Sequence, residues 1–234
     1  MTYALEIVAR LIALICVFSP HEFAHAFIAY KCGDPTAKMR GRMTLNPIKH
    51  LDPIGYILCA AVGFGWAKPV PIDPYNFKHY RRGMFFTAVA GVVINYIIAF
   101  FVYLLYVIVA RFAAPMISAS IVTFYLYYFL ETTLFLTFAY SLYSVVFNLL
   151  PVYPLDGFRV IEAVTRQVNP VQRFLRCYGQ YILIFLLVES FVCNIVANYV
   201  PFAQYFSVLH YVSWFAQNII GFPIKAAWGW ILNI

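Results

Sequence analysis

Charge is what this sequence has least of. Charged residues make up 11% of the 234 positions, and only nine are acidic. A water-soluble domain carries about 25% charged residues, so a soluble globular fold is excluded at the outset. Paired cysteines are lacking as well. Cys16, Cys32, Cys59, Cys177 and Cys193 form no CxxC, and three of them stand in apolar runs. They read as reduced thiols facing lipid or core, and no disulfide framework follows. A phosphate loop, a Rossmann glycine pattern and a Ser/His set for nucleophilic catalysis are all missing. So are internal repeats, low-complexity tracts and any soluble appendage.

What remains is apolar. The composition is 64% hydrophobic and the mean hydropathy is +0.80, which is the range of an integral membrane protein. The first apolar run has no basic n-region and no small-residue cleavage site, and it is longer than a signal core, so it reads as a retained span. Spans are expected over about 4–30, 84–109 and 125–150, with Glu131 marking an interfacial lead-in to the third. A fourth is expected over about 178–199. The aromatic tail 201–234 is broken by Pro201, Gly221 and Pro223, and reads as a fifth span or an interfacial segment. The fold expected is an all-α polytopic membrane protein, with a three-span core in 1–160 and one or two further spans in 161–234. Within the core, "IGYILCAAVGFGWAKPVPI" is too short and too broken to cross. It predicts a re-entrant loop over about 56–72, which requires a covering cavity because irregular backbone is not tolerated against lipid.

The net charge of +7 does not point to nucleic acid. Nine basic residues from Lys31 to Arg82 lie between the first two spans, and Arg159, Arg166, Arg173 and Arg176 form a second cluster. Both clusters fall on one side under the positive-inside rule, with anionic lipid as their natural neighbour. This places the first span outside to inside, the second returning outward through a short external loop near 111–120, and the third delivering Asp156 to the cytoplasmic half.

Against this apolar background stands "FSPHEFAHAFIAY", residues 18–30. Residues four apart share a helix face, so His21 and His25 can present two imidazoles to one ion. Glu22 lies about 100° round and can reach a metal-bound water without being a ligand. This is the HExxH arrangement of zinc hydrolases, two ligands and a general base. The bland alternative is a polar packing cluster between helices, but unpaired ionisable groups in lipid cost at least ~2.5 kcal/mol each. A catalytic zinc needs a third protein ligand. Asp156 offers one, in "NLLPVYPLDG", where Pro151 and Pro154 end a span. His50, His79 and His210 read as loop or interface residues, and Glu189 as either functional or protonated and bonded to Ser190 or a nearby tyrosine.

Taken together, these segments resemble the site-2 protease family of intramembrane zinc metalloproteases, in its compact form without PDZ or CBS domains. "HEFAHAF", "GDPTAKMRGRMTLNPIKHLDPIG", "FGWAKPVPIDPYNF" and "NLLPVYPLDG" each resemble a segment of that family, over Phe18 to about Arg159. The resemblance implies one zinc ion per chain on His21, His25 and Asp156, with Glu22 as general base. It places Asn148 near substrate or the oxyanion. The family's Gly-Pro-x-x-Asn motif reads "GVVIN" here: Gly91 and Asn95 remain, Asn95 with the same expected polar role, and Val92 replaces proline. The implied reaction is hydrolysis of a peptide bond in or near a transmembrane segment of a membrane-protein substrate, in a prokaryotic inner membrane. The substrate would unwind locally, adding an edge to the Gly63–Pro71 loop. Control by a regulatory membrane partner, by prior cleavage of the substrate or by homo-oligomerisation is left open. Two other classes compete, a metal-ion transporter and a catalytically silent scaffold. Transport predicts polar residues spread along several spans, and a scaffold has no need of Glu22.

Overall fold

The computed structural model describes residues 2–62, 65–113, 120–165 and 169–233. The described residues form helices and no strands. Four helices are long and apolar enough to cross a membrane: α1 (Thr2–Cys32), α4 (Tyr80–Phe112), α5 (Ile121–Asn148) and α7 (Pro170–Ala197). The expected external loop falls largely on 114–119, outside the described residues, as do Arg166 and two positions of the expected re-entrant loop, Gly63 and Phe64.

α1, α4 and α5 pack on one another as the core. Small residues let them approach. α1 buries Ala9, Ala13, Val17, His21, His25 and Ala29 at four-residue spacing. α4 buries Met84, Thr87, Ala88, Gly91, Asn95 and Ala99 along one ridge. In lipid, helix association rests on such close packing and on interhelical hydrogen bonds. The cross-contacts fix the directions. Tyr128 on α5 donates to Glu6 near the start of α1 at 2.6 Å, whereas His25 near its end meets Thr87 near the start of α4. α1 therefore runs parallel to α5 and antiparallel to α4.

The third span differs in detail from the sequence reading. α5 is one continuous helix from Ile121, started by Ser120 and Thr123 in a reciprocal capping box. Glu131 lies within it, and the helix starts at that cap. A single helical turn, α2 (Thr36–Met39), follows α1. The re-entrant segment is a short apolar helix, α3 (Pro53–Val62), followed by an irregular return through Ala67 and Val70, both buried. Gly55 of α3 faces the return backbone at Trp66, and Gly65 on the return faces the Gly55 backbone, so closely that a Cβ on either would overlap its neighbour.

Beyond the core, α6 (Asp156–Val164) starts at Asp156 and packs on α4. α7 leaves most of its surface exposed and touches the loop before α6 through Gly179, where a Cβ would lie 2.9 Å from the Tyr153 nitrogen. The tail forms no single span-length helix. It is broken into α8 (Val208–Phe215), a π-helical turn over Ala216–Ile220, a bend at Gly221 and α9 (Phe222–Trp228). Ala216 and Ile224 nonetheless join Ala99, Phe138 and Leu142 in one buried cluster, so the tail packs against α4 and α5.

Candidate metal centre

The HExxH turn lies inside α1, eleven residues before its end, roughly 16 Å along the axis at 1.5 Å per residue. Pro20 precedes it within the helix and has no N–H to give the preceding turn. His21 and His25 emerge on one face, their Nε2 atoms 2.9 Å apart. Asp156, brought in by the N-terminus of α6, sets Oδ2 3.4 Å from His21 Nε2 and 3.1 Å from His25 Nε2. All three residues are buried. Among the described residues they are the one His/Cys/Asp/Glu group that could hold a metal ion.

The geometry fits zinc. Bonds of about 2.0 Å at tetrahedral angles put ligand atoms roughly 3.3 Å apart, and the three observed separations bracket that value. The donor set is two imidazoles and one carboxylate, which is zinc chemistry. Asp156 Oδ2 is a buried oxygen with no hydrogen-bond partner, and two imidazole nitrogens converge on the same point. An ion satisfies all three atoms at once.

Each histidine is held from behind. His25 Nδ1 donates to the Thr87 carbonyl at 2.7 Å. His21 Nδ1 lies 3.1 Å from the Asn95 amide, and Asn95 is fully buried. Between Thr87 and Asn95 sits Gly91, where a Cβ would lie 2.5 Å from His25 Nε2 and 2.6 Å from His21 Nδ1. Only glycine lets α4 cross the histidine pair at this distance. Gly157 plays a similar part for Asp156, since a Cβ there would lie 2.5 Å from the Leu150 oxygen.

Glu22 is buried beside the group and faces the return segment, where the Val70 N–H donates to its Oε2 at 2.7 Å. That segment is pinned elsewhere. The Lys68 N–H donates to the His50 carbonyl at 2.9 Å, Arg42 donates to the Lys68 and Pro69 carbonyls at 2.8 and 3.2 Å, and the Asp73 N–H donates to Asp34 at 2.8 Å. Asp34 is fully buried and also accepts from Thr36 N–H, Thr36 Oγ1 and Asn76 Nδ2. Burial alone would raise its pKa. The bonds from Thr36, Asp73 and Asn76 outweigh that and hold the carboxyl below the usual range.

Asn148 is half-buried at the end of α5 and bonds back into its own helix, donating to Ser144 O and Oγ at 3.0 and 2.9 Å. His50 donates through Nε2 to the Thr44 carbonyl at 2.7 Å, His79 precedes α4, and His210 stacks edge-on with Tyr205 and Tyr211. Glu189 accepts from the Cys193 thiol at 3.4 Å. Neither the three histidines nor Glu189 joins the metal group. Val70 and Thr87 could not be found from sequence, because their contacts run through backbone atoms that no side-chain pattern encodes. A cavity of about 150 Å³ opens beside the centre, between Ile72, Met84, Thr87, Tyr153 and Arg159. A larger one of about 410 Å³ lies at the far end of the core, at Glu6, Arg10 and Glu131.

The sequence model of peptidase family M50 matches residues 9–189. YwhC of Bacillus subtilis, named as a zinc metalloprotease, is 44% identical over 151 residues, which is 64% of this chain and 66% of YwhC. Rip2 of Mycobacterium tuberculosis (strain H37Rv), named likewise, is 29% identical over 189 residues, 78% of this chain and 65% of Rip2. Rip2 of Mycolicibacterium smegmatis is 28% identical over 177 residues, 72% of this chain and 62% of Rip2. The matches thus span just under two thirds of these relatives' own lengths. No solved structure matches the chain.

Proposed function

Because the chain belongs to peptidase family M50, the site-2 protease family, we propose that it is an intramembrane zinc endopeptidase cleaving a transmembrane protein in or near its membrane segment. One observation carries this reading: a buried His–His–Asp triangle with zinc-ligand spacing lies beside a carboxylate, well inside a spanning helix. A single centre of this kind suits hydrolysis better than a transport pathway. Glu22 suits a working enzyme better than a silent scaffold.

His21, His25 and Asp156 would hold the ion, which when bound supplies a Lewis acid that activates water and polarises the scissile carbonyl. The chain's own residues do the rest. Glu22 accepts the proton of the attacking water and delivers it to the leaving amine. The Val70 N–H holds one oxygen of that carboxylate, fixing its direction without neutralising it. The cavity bounded by Ile72, Thr87 and Arg159 is where we place the entry of solvent.

The return segment 67–71 lies over Glu22 and is where we place the substrate backbone. Its chemistry restricts the pairing. The N–H groups of Lys68 and Val70 are already used, and Pro69 and Pro71 have none. A strand added over 68–71 must therefore donate its own N–H groups to carbonyls of the segment, of which those of Lys68 and Pro69 already accept from Arg42. A helical substrate has none free, so it must unwind first. The basic residues Lys38, Arg40, Arg42, Lys68, Lys78, Arg173 and Arg176 gather at the same end of the fold as the centre, which supports a cytoplasmic-side site under the positive-inside rule.

The test compares wild type with Glu22→Gln, both shown to hold equal zinc, in membranes from cells lacking the endogenous enzyme. New peptide ends inside spans, mapped by mass spectrometry, are expected with wild type only. Loss of a general base costs about 10²–10⁴-fold in rate, so cleavage by the variant should fall below detection. Identical peptide ends in both samples would overturn the reading.

A further inference from the structure

Asn95 poses a problem of donors and acceptors. Its Nδ2 has two neighbours, Ser144 Oγ at 2.9 Å and His21 Nδ1 at 3.1 Å. Its Oδ1 is buried with none. A neutral imidazole carries one N–H and one lone pair. His21 and His25 both turn Nε2 toward Asp156, so as metal ligands both must carry their proton on Nδ1. His25 complies, because its Nδ1 faces the Thr87 carbonyl, which can only accept. At His21, however, an Nδ1–H facing an amide NH₂ sets donor against donor.

The amide's oxygen and nitrogen have nearly the same shape, and the hydrogen-bond network decides between them. Turned by half a revolution, Asn95 places Oδ1 against His21 Nδ1 and Ser144 Oγ. One amide atom lacks a partner in either orientation, so that end is neutral in the comparison. The ligand tautomer decides.

We propose that Asn95 is a positioning residue that accepts the His21 Nδ1–H through Oδ1 and thereby fixes the ring's tautomer and direction. The inference rests on His21 being a zinc ligand, as above. It assigns Asn95 to the back of the metal site and away from the substrate. A directed chain follows. Asn148 Nδ2 donates to Ser144 Oγ at 2.9 Å, the Ser144 hydroxyl donates to Asn95 Oδ1, and Oδ1 also accepts from His21. Asn148 of the "NLLPVYPLDG" segment is thus tied to the first ligand through α5 and α4.

The two ligand histidines are then secured by different means. Thr87, Gly91 and Asn95 stand four residues apart on one ridge of α4. Thr87 holds His25 by a backbone carbonyl that no ordinary substitution removes. Gly91 makes room. Asn95 holds His21 by a side chain, so His21 is the ligand whose hold depends on sequence.

Zinc affinity, measured by chelator competition on the purified full chain in detergent, tests this without any activity assay. Removing an outer partner of a zinc histidine weakens metal binding 10–100-fold. Asn95→Leu, close in shape and unable to accept, is expected to show that loss. It should also alter the visible spectrum of the cobalt-substituted protein. Asn95→Asp can only accept. It is expected to bind zinc within about threefold of wild type and to keep the wild-type cobalt spectrum. Should Asn95→Leu fail to fold, the aspartate variant decides alone: a tenfold or greater loss there means the amide acts as a donor or as packing, and the proposal fails. Unchanged affinity in Asn95→Leu overturns it equally. Wild type that binds no zinc sinks the metal-site reading itself. Wild type that binds zinc but cuts nothing leaves this test fully informative.

Discussion

At the level of single residues, the histidine pair of the candidate metal group was legible because the helix period forces it. His21 and His25 share a face whatever the rest of the chain does. Gly91 and Asn95 were legible only as remnants of a motif, and their places behind the histidines come from a different helix. Asp34 was not singled out at all. A lone aspartate after a span looks like a solvated loop residue, yet it is buried under four hydrogen bonds that tie the end of α1 to the return segment. Its pKa lies below the unfolded value, so its contribution is fully present above about pH 4. That contribution is lost as pH falls through the lower folded value. Thermal unfolding of the detergent-solubilised protein should show a fall in melting temperature in that acid window. Hydrogen bonds to a charged group are worth about 1.5–3 kcal/mol each. Asp34→Asn should therefore melt lower at neutral pH, by roughly 5 °C, with a weaker acid dependence. An unchanged melting curve at both pH values would count against the clamp.

Among the elements, hydropathy located every long helix because a span needs about 20 apolar residues and little else. It placed helix ends less well. α4 begins at Tyr80 and α7 at Pro170, in basic stretches that hydropathy assigns to loops. Helices continue past the hydrocarbon wherever capping permits, as the Asn169–Gln172 box does for α7. α7 also touches the loop that leads into Asp156. Its Gly179 is seated on the Tyr153 backbone, three residues before Asp156. Gly179→Val should push α7 and that loop apart and lower zinc retention on dialysis several-fold. Gly229→Val, where a Cβ meets nothing within 4 Å, should leave it unchanged. Equal retention in both variants would show that the loop before α6 holds its shape without α7.

At the scale of the whole molecule, the prediction concerns sidedness. In a variant lacking all five cysteines, a membrane-impermeant maleimide applied to intact cells should label Val122→Cys, at the start of α5. It should label Lys38→Cys, beside the metal centre's end of α1, only after the membrane is opened. The reverse pattern would put the centre on the outer side. Neither position is part of the proposed machinery, and both are exposed, so the labelling reports orientation alone.

The sequence by itself determined the class of the protein and singled out its candidate metal ligands. Apolar length dictates spans, and the four-residue repeat dictates a shared face. A carboxylate at a proline-broken helix end completes a ligand set that lipid would otherwise penalise. Tertiary structure decided what surrounds those ligands. That Asp156 reaches the histidines, that Gly91 crosses them, that Val70 holds Glu22 and that Asn95 backs His21 all depend on how α1, α4, α5 and the return segment pack. The tail's place was decided the same way. Its composition allows a span, but the break at Gly221 and the burial of Ala216 and Ile224 follow from the groove between α4 and α5. Periodicity along one helix is local and fixed by backbone geometry, whereas contacts between helices are set by the shapes that face each other, and no single segment carries that information.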